Sequence, residues 1–516
     1  MPKQNIDAYQ ARLEDIFKRD DIRGLWPSLL NSETCFLLAE VLLGMLLKRN
    51  LPARIVLGHD ARLGSYDLSL AFMRAFAGKG GSCRFLGLVS SEQLYYATGK
   101  YGNDFAAGVM ITASHNPKEY NGIKFVHAGG VPFSADDLTE LKEGLFAALK
   151  VPEKLDLKRE FAEHLLSLAQ FDAVPMQGQK LRIVLAAGHG VGAVAFKPLA
   201  DKLQKWGFEF SYMEPEPDGN FPKGVPNPLL EEHIKRLGKE VKSQEADLGI
   251  MFDGDADRAG FVDHKGKEII PAHVYALVAQ RKLRACKTKA PLLMRNLCSS
   301  QLLKELFEGG EQQVEVLDTP VGHGQIKMLM RDEKFRERVI FAGEHSGHYF
   351  YPEFYYLDSG FLTSLLLLAE LKELQQSNKT MREQLKNWRR KYQWSGEINY
   401  DLPHKNAVYS ALKELELHFD KLPNIQKLGV CKDKQSGLYG IAKLKEEYLP
   451  QKRSYPDLKM LRENEDGSGW WFVVRPSGNE NKLRLNFEYW KLPKAQAEAI
   501  MDDIKDILKR NSATKA

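Results

Sequence analysis

The sequence predicts an α/β protein of several domains with mixed sheets, closed by a separate α+β domain. Short β-rich runs recur along the chain, each ending in a Gly-rich polar loop and followed by helical periodicity. That alternation builds layered α/β architecture. The C-terminal part breaks the pattern, with extended runs followed by one amphipathic helix. At roughly 100–200 residues per domain, the 516 residues leave room for three or four.

Residues 55–57 lead into GHDARLG and residues 108–111 into TASHNP. Residues 182–185 lead into AAGHGVG and a helical stretch to Trp206. Residues 248–252 lead into DGDADR, and 339–341 into AGEHSGH. Ligands of such sheets gather at the loops beyond the strand ends. Residues 470–474 read as a strand before RPSGNENK. Residues 482–489 alternate, with Leu483, Leu485, Phe487 and Tyr489 on one face, which predicts a half-buried antiparallel strand. A helix over 494–508 follows, with Ala497, Ile500, Ile504 and Leu508 along one stripe, and the tail from Arg510 is expected to fray. Turn residues and charges place domains at 1–170, 171–271, 272–395 and 396–516. No short repeat or low-complexity tract interrupts them.

Hydrophobic residues make up 43% of the chain and charged residues 27%, as in soluble globular proteins. The formal charge of +5, from 73 basic and 68 acidic residues, is thinly spread. No long basic block suggests nucleic acid, whereas a modest cationic excess suits a small anionic substrate. Cys35, Cys83, Cys286, Cys298 and Cys431 are scattered and form no CxxC pair. That argues against a disulfide framework or a zinc site and fits a reducing compartment. The N-terminus has no apolar signal core, and the most apolar stretch, 361–371, is too short to span a bilayer. A cytoplasmic protein with no membrane partner is expected.

The loop DGDADR sets Asp253, Asp255 and Asp257 at alternate positions, which in an extended loop project to one side. At about 4 Å and an effective dielectric of about 20, each carboxylate pair costs roughly 4 kcal/mol. A hard divalent cation removes that penalty, and carboxylate oxygens suit Mg²⁺. Gly254 and Ala256 leave space for an ion to approach. The alternatives are a solvated acidic turn or an EF-hand. The latter fails at Arg258 and His264, which occupy the positions of the turn glycine and the bidentate glutamate.

Ser114 follows an apolar strand among turn formers, Asn116-Pro117 and Asn121-Gly122, which predicts an accessible hydroxyl at a strand end. His115, its neighbour in sequence, is expected to point elsewhere, and no GxSxG elbow surrounds the serine. A hydrolase triad is therefore disfavoured against a phosphorylated serine facing the metal loop, with a capping serine as the plain alternative.

Four signatures in order, TASHNP, DGDADR, GEHSGH (343–348) and RPSGN (475–479), closely resemble the α-D-phosphohexomutase family. The resemblance is nearest to its phosphomannomutase/phosphoglucomutase branch. DIRG (21–24), GHDAR (58–62), DGNFP (218–222) and GEINYDL (396–402) support it, and it covers nearly the whole chain. It implies four domains around a central cleft: three mixed-sheet α/β layers and a C-terminal α+β domain. It implies a phosphoserine at Ser114 and Mg²⁺ held by Asp253, Asp255, Asp257 and a phosphoserine oxygen. The implied reaction interconverts hexose 1-phosphate and hexose 6-phosphate through a hexose 1,6-bisphosphate, by a monomer or dimer acting on small hexose phosphates. Glu344 and Ser346 would bind sugar hydroxyls. Arg475, Ser477, Gly478 and Asn479 would cradle the non-reacting phosphate. Arg23, Lys124, His323 and His348 match cleft residues that stabilise charge, move protons or contact substrate, and Arg258 would pair with the phosphoserine, a surface salt bridge being the alternative.

The chain departs from the family pattern at several points. Asn479 and Asn481 stand for a usual Thr and Pro, His189 for Asn, and Ser90-Ser91 for Thr-Pro. The stretch 427–468 is longer and more charged than usual. His345 replaces both the Gln of phosphoglucosamine mutases and the Met common in mannose/glucose enzymes, while GEINYDL favours the latter. Rival readings are phosphoglucosamine mutase, a non-catalytic sugar-phosphate-binding paralogue, and a dinucleotide-dependent oxidoreductase. The last is suggested by GHGVGA with Glu209 beyond it, but it leaves the serine and acidic loops unexplained.

Overall fold

The computed structural model describes residues 15–144, 155–171, 180–310, 312–404, 407–433, 436–444, 456–477 and 481–512. The chain divides into two compact units, residues 1–284 with 346–381, and residues 285–345 with 382–516.

The first unit contains two five-stranded mixed sheets of like design. One has the order Ile22–Leu25, Tyr120–His127, Ala107–Ile111, Arg54–His59, Ser82–Leu88. The other runs Glu268–Ile269, Ala259–Asp263, Leu248–Phe252, Leu181–Ala186, Phe208–Met213. In each, three parallel strands fill one side of the sheet and two strands joined by antiparallel pairing complete the other. The central strands Ala107–Ile111 and Leu248–Phe252 are buried throughout, as parallel strands covered on both faces must be, which explains their unbroken apolar runs. Both end at a candidate loop. Helix Ser91–Lys100 is fixed by a capping box, Ser90 accepting from the Gln93 N–H while the Gln93 side chain accepts from the Ser90 N–H.

The apolar stretch near residue 365 lies in helix Gly360–Gln376. Its Phe361 packs against Phe196 and Phe252 at 5.3 and 4.9 Å between ring centres. A helix buried almost all round needs apolar residues on every face. Among the described residues no helix is long and apolar enough to cross a membrane.

In the second unit, Leu292–Asn296 pairs in parallel with Glu315–Thr319 and Val339–Gly343. A six-stranded antiparallel sheet follows, in the order Tyr392–Asp401, Lys482–Trp490, Gly469–Pro476, Leu458–Glu463, Ile425–Lys432, Tyr439–Lys443. Leu483, Leu485 and Phe487 pack with helices Ala407–Phe419 and Lys494–Asn511. The strand is not half-buried, however. Asn486, Glu488 and Trp490 on its other face are also buried, because Trp471, Val473 and Trp490 form a second core with Leu297, Leu302 and Val321. Nor does the chain fray at Arg510. The last helix continues to Asn511, and Arg510 and Asn511 both bond Glu414, at 2.6 and 2.8 Å. Residues 513–516 lie outside the described residues.

Candidate active site

Ser114 sits three residues beyond the strand Ala107–Ile111, with φ +54°. A left-handed conformation costs a non-glycine residue about 1–2 kcal/mol, so the loop must be held by its surroundings. Arg62, buried, donates to four backbone oxygens of the loop: Ser114 O (2.9 Å), Asn116 O, Pro117 O (2.9 Å) and Tyr120 O (3.0 Å). Thr112 Oγ1 accepts from Ser114 N at 2.9 Å and donates to Asp60 Oδ2 at 2.8 Å. Arg23 donates to Ala113 O and Asn116 Oδ1 and forks onto Asp21.

Two expectations fail here. Ser114 is buried rather than accessible, with 3% of its surface exposed. The turn also swings His115 back, so that its Nδ1 lies 3.4 Å from Ser114 Oγ. A left-handed residue reverses the chain locally, which sequence adjacency in an extended loop would not do.

The acidic loop reaches the same place from the second sheet. Ser114 Oγ lies 3.3 Å from Asp253 Oδ2. Asp253, Asp255 and Asp257 each offer one oxygen within 4.8 Å of the others, and all three are buried. The loop achieves this with a turn, Ala256 having φ +62°, not with an extended run. Gly254 does not make room for an ion: a Cβ there would lie 2.5 Å from Ser114 O. Its missing side chain lets the serine and acidic loops pack backbone to backbone.

Three carboxylates meet two cations. Lys124 Nζ bridges Asp255 Oδ2 and Asp257 Oδ2, both at 2.8 Å. Arg258 Nε donates to Asp253 Oδ2 at 2.7 Å, so Arg258 is a buried partner of the triplet and not a surface salt bridge. Burial pulls the Lys124 ammonium pKa down, but Asp255 and Asp257 outweigh it and the pKa is raised well above the ordinary value. Burial pushes the Asp253 carboxyl up to about 6 against the pull of Arg258. Asp255 Oδ1 and Asp257 Oδ1 are buried with no hydrogen-bond partner. Buried carboxylate oxygens without donors are costly unless something positive binds them, and hard oxygen donors are the ligands Mg²⁺ takes. The residues therefore fit a divalent cation. Nearby, His348 Nδ1 lies 3.0 Å from Asp358 Oδ2 and 3.7 Å from Asp257 Oδ1. Burial lowers the ring pKa, but the two carboxylates more than compensate and the net shift is upward. Ser346 is half-buried in this unit.

The second unit carries another polar constellation. Glu344 Oε1 accepts from Gly322 N at 2.8 Å and Asn296 Nδ2 at 3.0 Å. Both His345 ring nitrogens are engaged, Nδ1 with Asn296 Nδ2 (2.9 Å) and Nε2 with Glu397 Oε2 (3.1 Å). Glu397 also accepts from Arg475 Nη2 at 3.1 Å and Arg484 Nη1 at 2.9 Å, and Arg484 Nη2 donates to Ser477 Oγ at 3.1 Å. Arg475 Nε is buried without a hydrogen-bond partner. His323 opens helix His323–Arg331, its Nδ1 3.4 Å from Lys327 Nζ. Gly478 and Asn479 lie outside the described residues.

Sequence reasoning missed Arg62, Ser91, Asn296, Glu397 and Arg484 as site residues. Arg62 lies in GHDAR and Glu397 in GEINYDL, whose motifs carry a signal for them, and Ser91 lies in the Ser90-Ser91 pair that departs from the family pattern. Arg484 alternates with Leu483 and Leu485, which reads as a solvent face until the second core is seen.

The sequence matches the four phosphoglucomutase/phosphomannomutase domains in order: α/β/α domain I over residues 14–151, domain II over 159–266, domain III over 271–392 and the C-terminal domain over 431–507. It is 32% identical over 483 residues to a Xanthomonas campestris protein named for phosphohexose mutases, covering 92% of this chain and 94% of that one. It is 31% identical over 421 residues to an Escherichia coli phosphomannomutase, covering 78% and 86%. The fold resembles a Burkholderia thailandensis phosphoglucomutase/phosphomannomutase family protein, with a TM-score of 0.75 at 22% identity over 96% of this chain and 98% of that one.

Proposed function

The chain belongs to the phosphoglucomutase/phosphomannomutase family, and on that footing we propose that it interconverts hexose 1-phosphate and hexose 6-phosphate through a phosphoserine at Ser114. The phosphoryl group leaves Ser114 Oγ for the free hydroxyl of the bound monophosphate. The P–Oγ bond breaks, a P–O bond to the sugar forms, and the proton lost from the sugar hydroxyl is matched by one taken up at Ser114 Oγ, which becomes a free hydroxyl. The hexose 1,6-bisphosphate then turns round and returns its other phosphoryl group to Ser114.

The chain's own residues divide the work. Arg62 and Arg23 hold the serine loop. Lys124, kept protonated between Asp255 and Asp257, adds fixed positive charge, and the buried Nη2 of Arg258, without a hydrogen-bond partner, is a donor for a phosphoryl oxygen. His348 and His323 are the proton carriers. A Mg²⁺ ion held by Asp253, Asp255, Asp257 and a phosphoserine oxygen would supply Lewis-acid charge at the transferring group. Arg475 and Ser477 bind the non-reacting phosphate, and Glu344 and Ser346 the sugar. Because both His345 ring nitrogens are held by protein partners, that side chain has little left with which to read the 2-hydroxyl. This favours acceptance of both mannose and glucose phosphates. Five free cysteines support a reducing, cytoplasmic setting.

One observation carries the reading: the Ser114 hydroxyl is 3.3 Å from Asp253 in a carboxylate triplet with two buried oxygens that make no hydrogen bond. In a coupled assay with glucose 1-phosphate and the 1,6-bisphosphate activator, Ser114→Ala loses nearly all turnover yet still binds sugar phosphate. Full activity in that variant would overturn the proposal.

A further inference from the structure

Ser91 is the first residue of helix Ser91–Lys100 and is fully buried. The cap itself is made by Ser90 and Gln93, so the Ser91 hydroxyl has no part in it. Instead Ser91 Oγ donates to Asp255 Oδ2 at 2.8 Å, and Ser91 N donates to Asp255 O at 3.2 Å. The hydroxyl shares that carboxylate oxygen with Lys124 Nζ. Two donors on Oδ2 fix the rotation of the carboxylate and leave Oδ1 as its buried oxygen without a hydrogen-bond partner. The backbone bond fixes the loop at the same residue.

We infer that Ser91 is a positioning residue for divalent-cation binding: it ties the helix start to Asp255 and presents Asp255 Oδ1 to the ion. The inference rests on the reading that the aspartate triplet holds the cation. A carboxylate free to rotate must be ordered when the ion arrives, and its orientation by a hydrogen bond to the non-ligating oxygen removes that cost. Proline at this position could make neither bond, yet the first helical position tolerates proline because its N–H has no partner within the helix. The two hydrogen bonds can therefore be deleted without breaking the helix.

The test measures Mg²⁺ binding by calorimetry and Mn²⁺ binding by electron paramagnetic resonance, on the full chain, for wild type, Ser91→Ala, Ser91→Pro, Ser91→Thr and Asp255→Asn. Thermal unfolding serves as the folding control. Ser91→Ala is expected to weaken Mg²⁺ binding by about tenfold, the scale of losing a partner that orients a ligand. Ser91→Pro weakens it further, Ser91→Thr restores it, and Asp255→Asn abolishes it. In turnover, the Ser91→Ala defect is largest at low Mg²⁺ and shrinks as Mg²⁺ is raised, which general damage to the fold would not produce. Wild-type metal affinity in both Ser91→Ala and Ser91→Pro, with binding lost in Asp255→Asn, overturns the role of Ser91 and leaves the metal site standing. Equal Mg²⁺ affinity in wild type and Asp255→Asn overturns the metal reading and this inference with it. If Ser91→Pro does not fold, the Ala and Thr variants decide alone.

Discussion

Glu397→Gln keeps the shape of the side chain and removes one charge from a buried hub. Glu397 is flanked by two guanidinium groups, at 3.1 Å (Arg475) and 2.9 Å (Arg484), and by His345 at 3.1 Å. Its side chain is 5% exposed. Burial pushes the carboxyl pKa up, but the His345 hydrogen bond and the two arginines outweigh that and hold it well below the usual carboxylate range. Breaking a buried pair by removing one partner costs about 3–5 kcal/mol, because the remaining charge is left uncompensated. Here two cations lose their counter-ion, so the second unit is expected to lose stability near the upper end of that range. The loss has a signature. If Arg475 binds the substrate's phosphate, inorganic phosphate replaces the missing charge, and ligand at a hundred times its dissociation constant returns about 2.7 kcal/mol. Differential scanning fluorimetry with and without phosphate therefore shows a lowered Tm for Glu397→Gln and a larger phosphate-induced rise than in wild type. The pH dependence follows in sign. A carboxylate with a depressed folded-state pKa contributes its full stability above the ordinary carboxylate pKa of 4.5 and loses it as pH falls below that value toward the folded-state pKa. The variant lacks that acid-side decline. A Glu397→Gln protein as stable as wild type in phosphate-free buffer, or an equal phosphate shift in both, refutes the reasoning.

Two further outcomes follow from the first unit. With the Asp253 carboxyl pushed up to about 6, a proton competes with the cation. The apparent Mg²⁺ affinity is therefore constant above that pH and falls about tenfold per unit below it, as read by calorimetry at pH 5, 6 and 7.5; affinity independent of pH over this range contradicts the assignment. Gly254→Ala places a Cβ 2.5 Å from Ser114 O and forces the serine and acidic loops apart. A displacement of about 1 Å at a reacting centre costs on the order of a hundredfold in rate, so kcat falls by about that factor while sugar-phosphate binding persists; wild-type kcat in this variant is the contrary result.

The parts of the molecule legible in the sequence are those that local chemistry dictates. The β-rich runs at residues 108–111 and 248–252 announced strands, which the fold buries throughout, and the polar loops beyond them announced where ligands gather. The acidic triplet was legible because repulsion among Asp253, Asp255 and Asp257 requires a counter-charge. What failed were readings that depended on partners distant in sequence. Asn486 and Glu488 looked solvent-facing because nothing near residue 486 reveals the second core that covers them. Gly254 looked like space for an ion because its true neighbour, the Ser114 carbonyl, lies far back in the chain. Glu397 and Ser91 each act through a residue far away in the sequence, His345 or Arg475 for one and Asp255 for the other. Such pairings arise only when strands and loops have docked.

Peptide mapping of the purified protein by mass spectrometry, before and after incubation with a hexose monophosphate and Mg²⁺, tests the phosphoserine directly. A phosphate is expected on the peptide containing Ser114, moving to the sugar as bisphosphate during the incubation and restored by added hexose 1,6-bisphosphate. A Ser114 that never carries phosphate in an active preparation, or carries one that hexose monophosphate cannot remove, contradicts it.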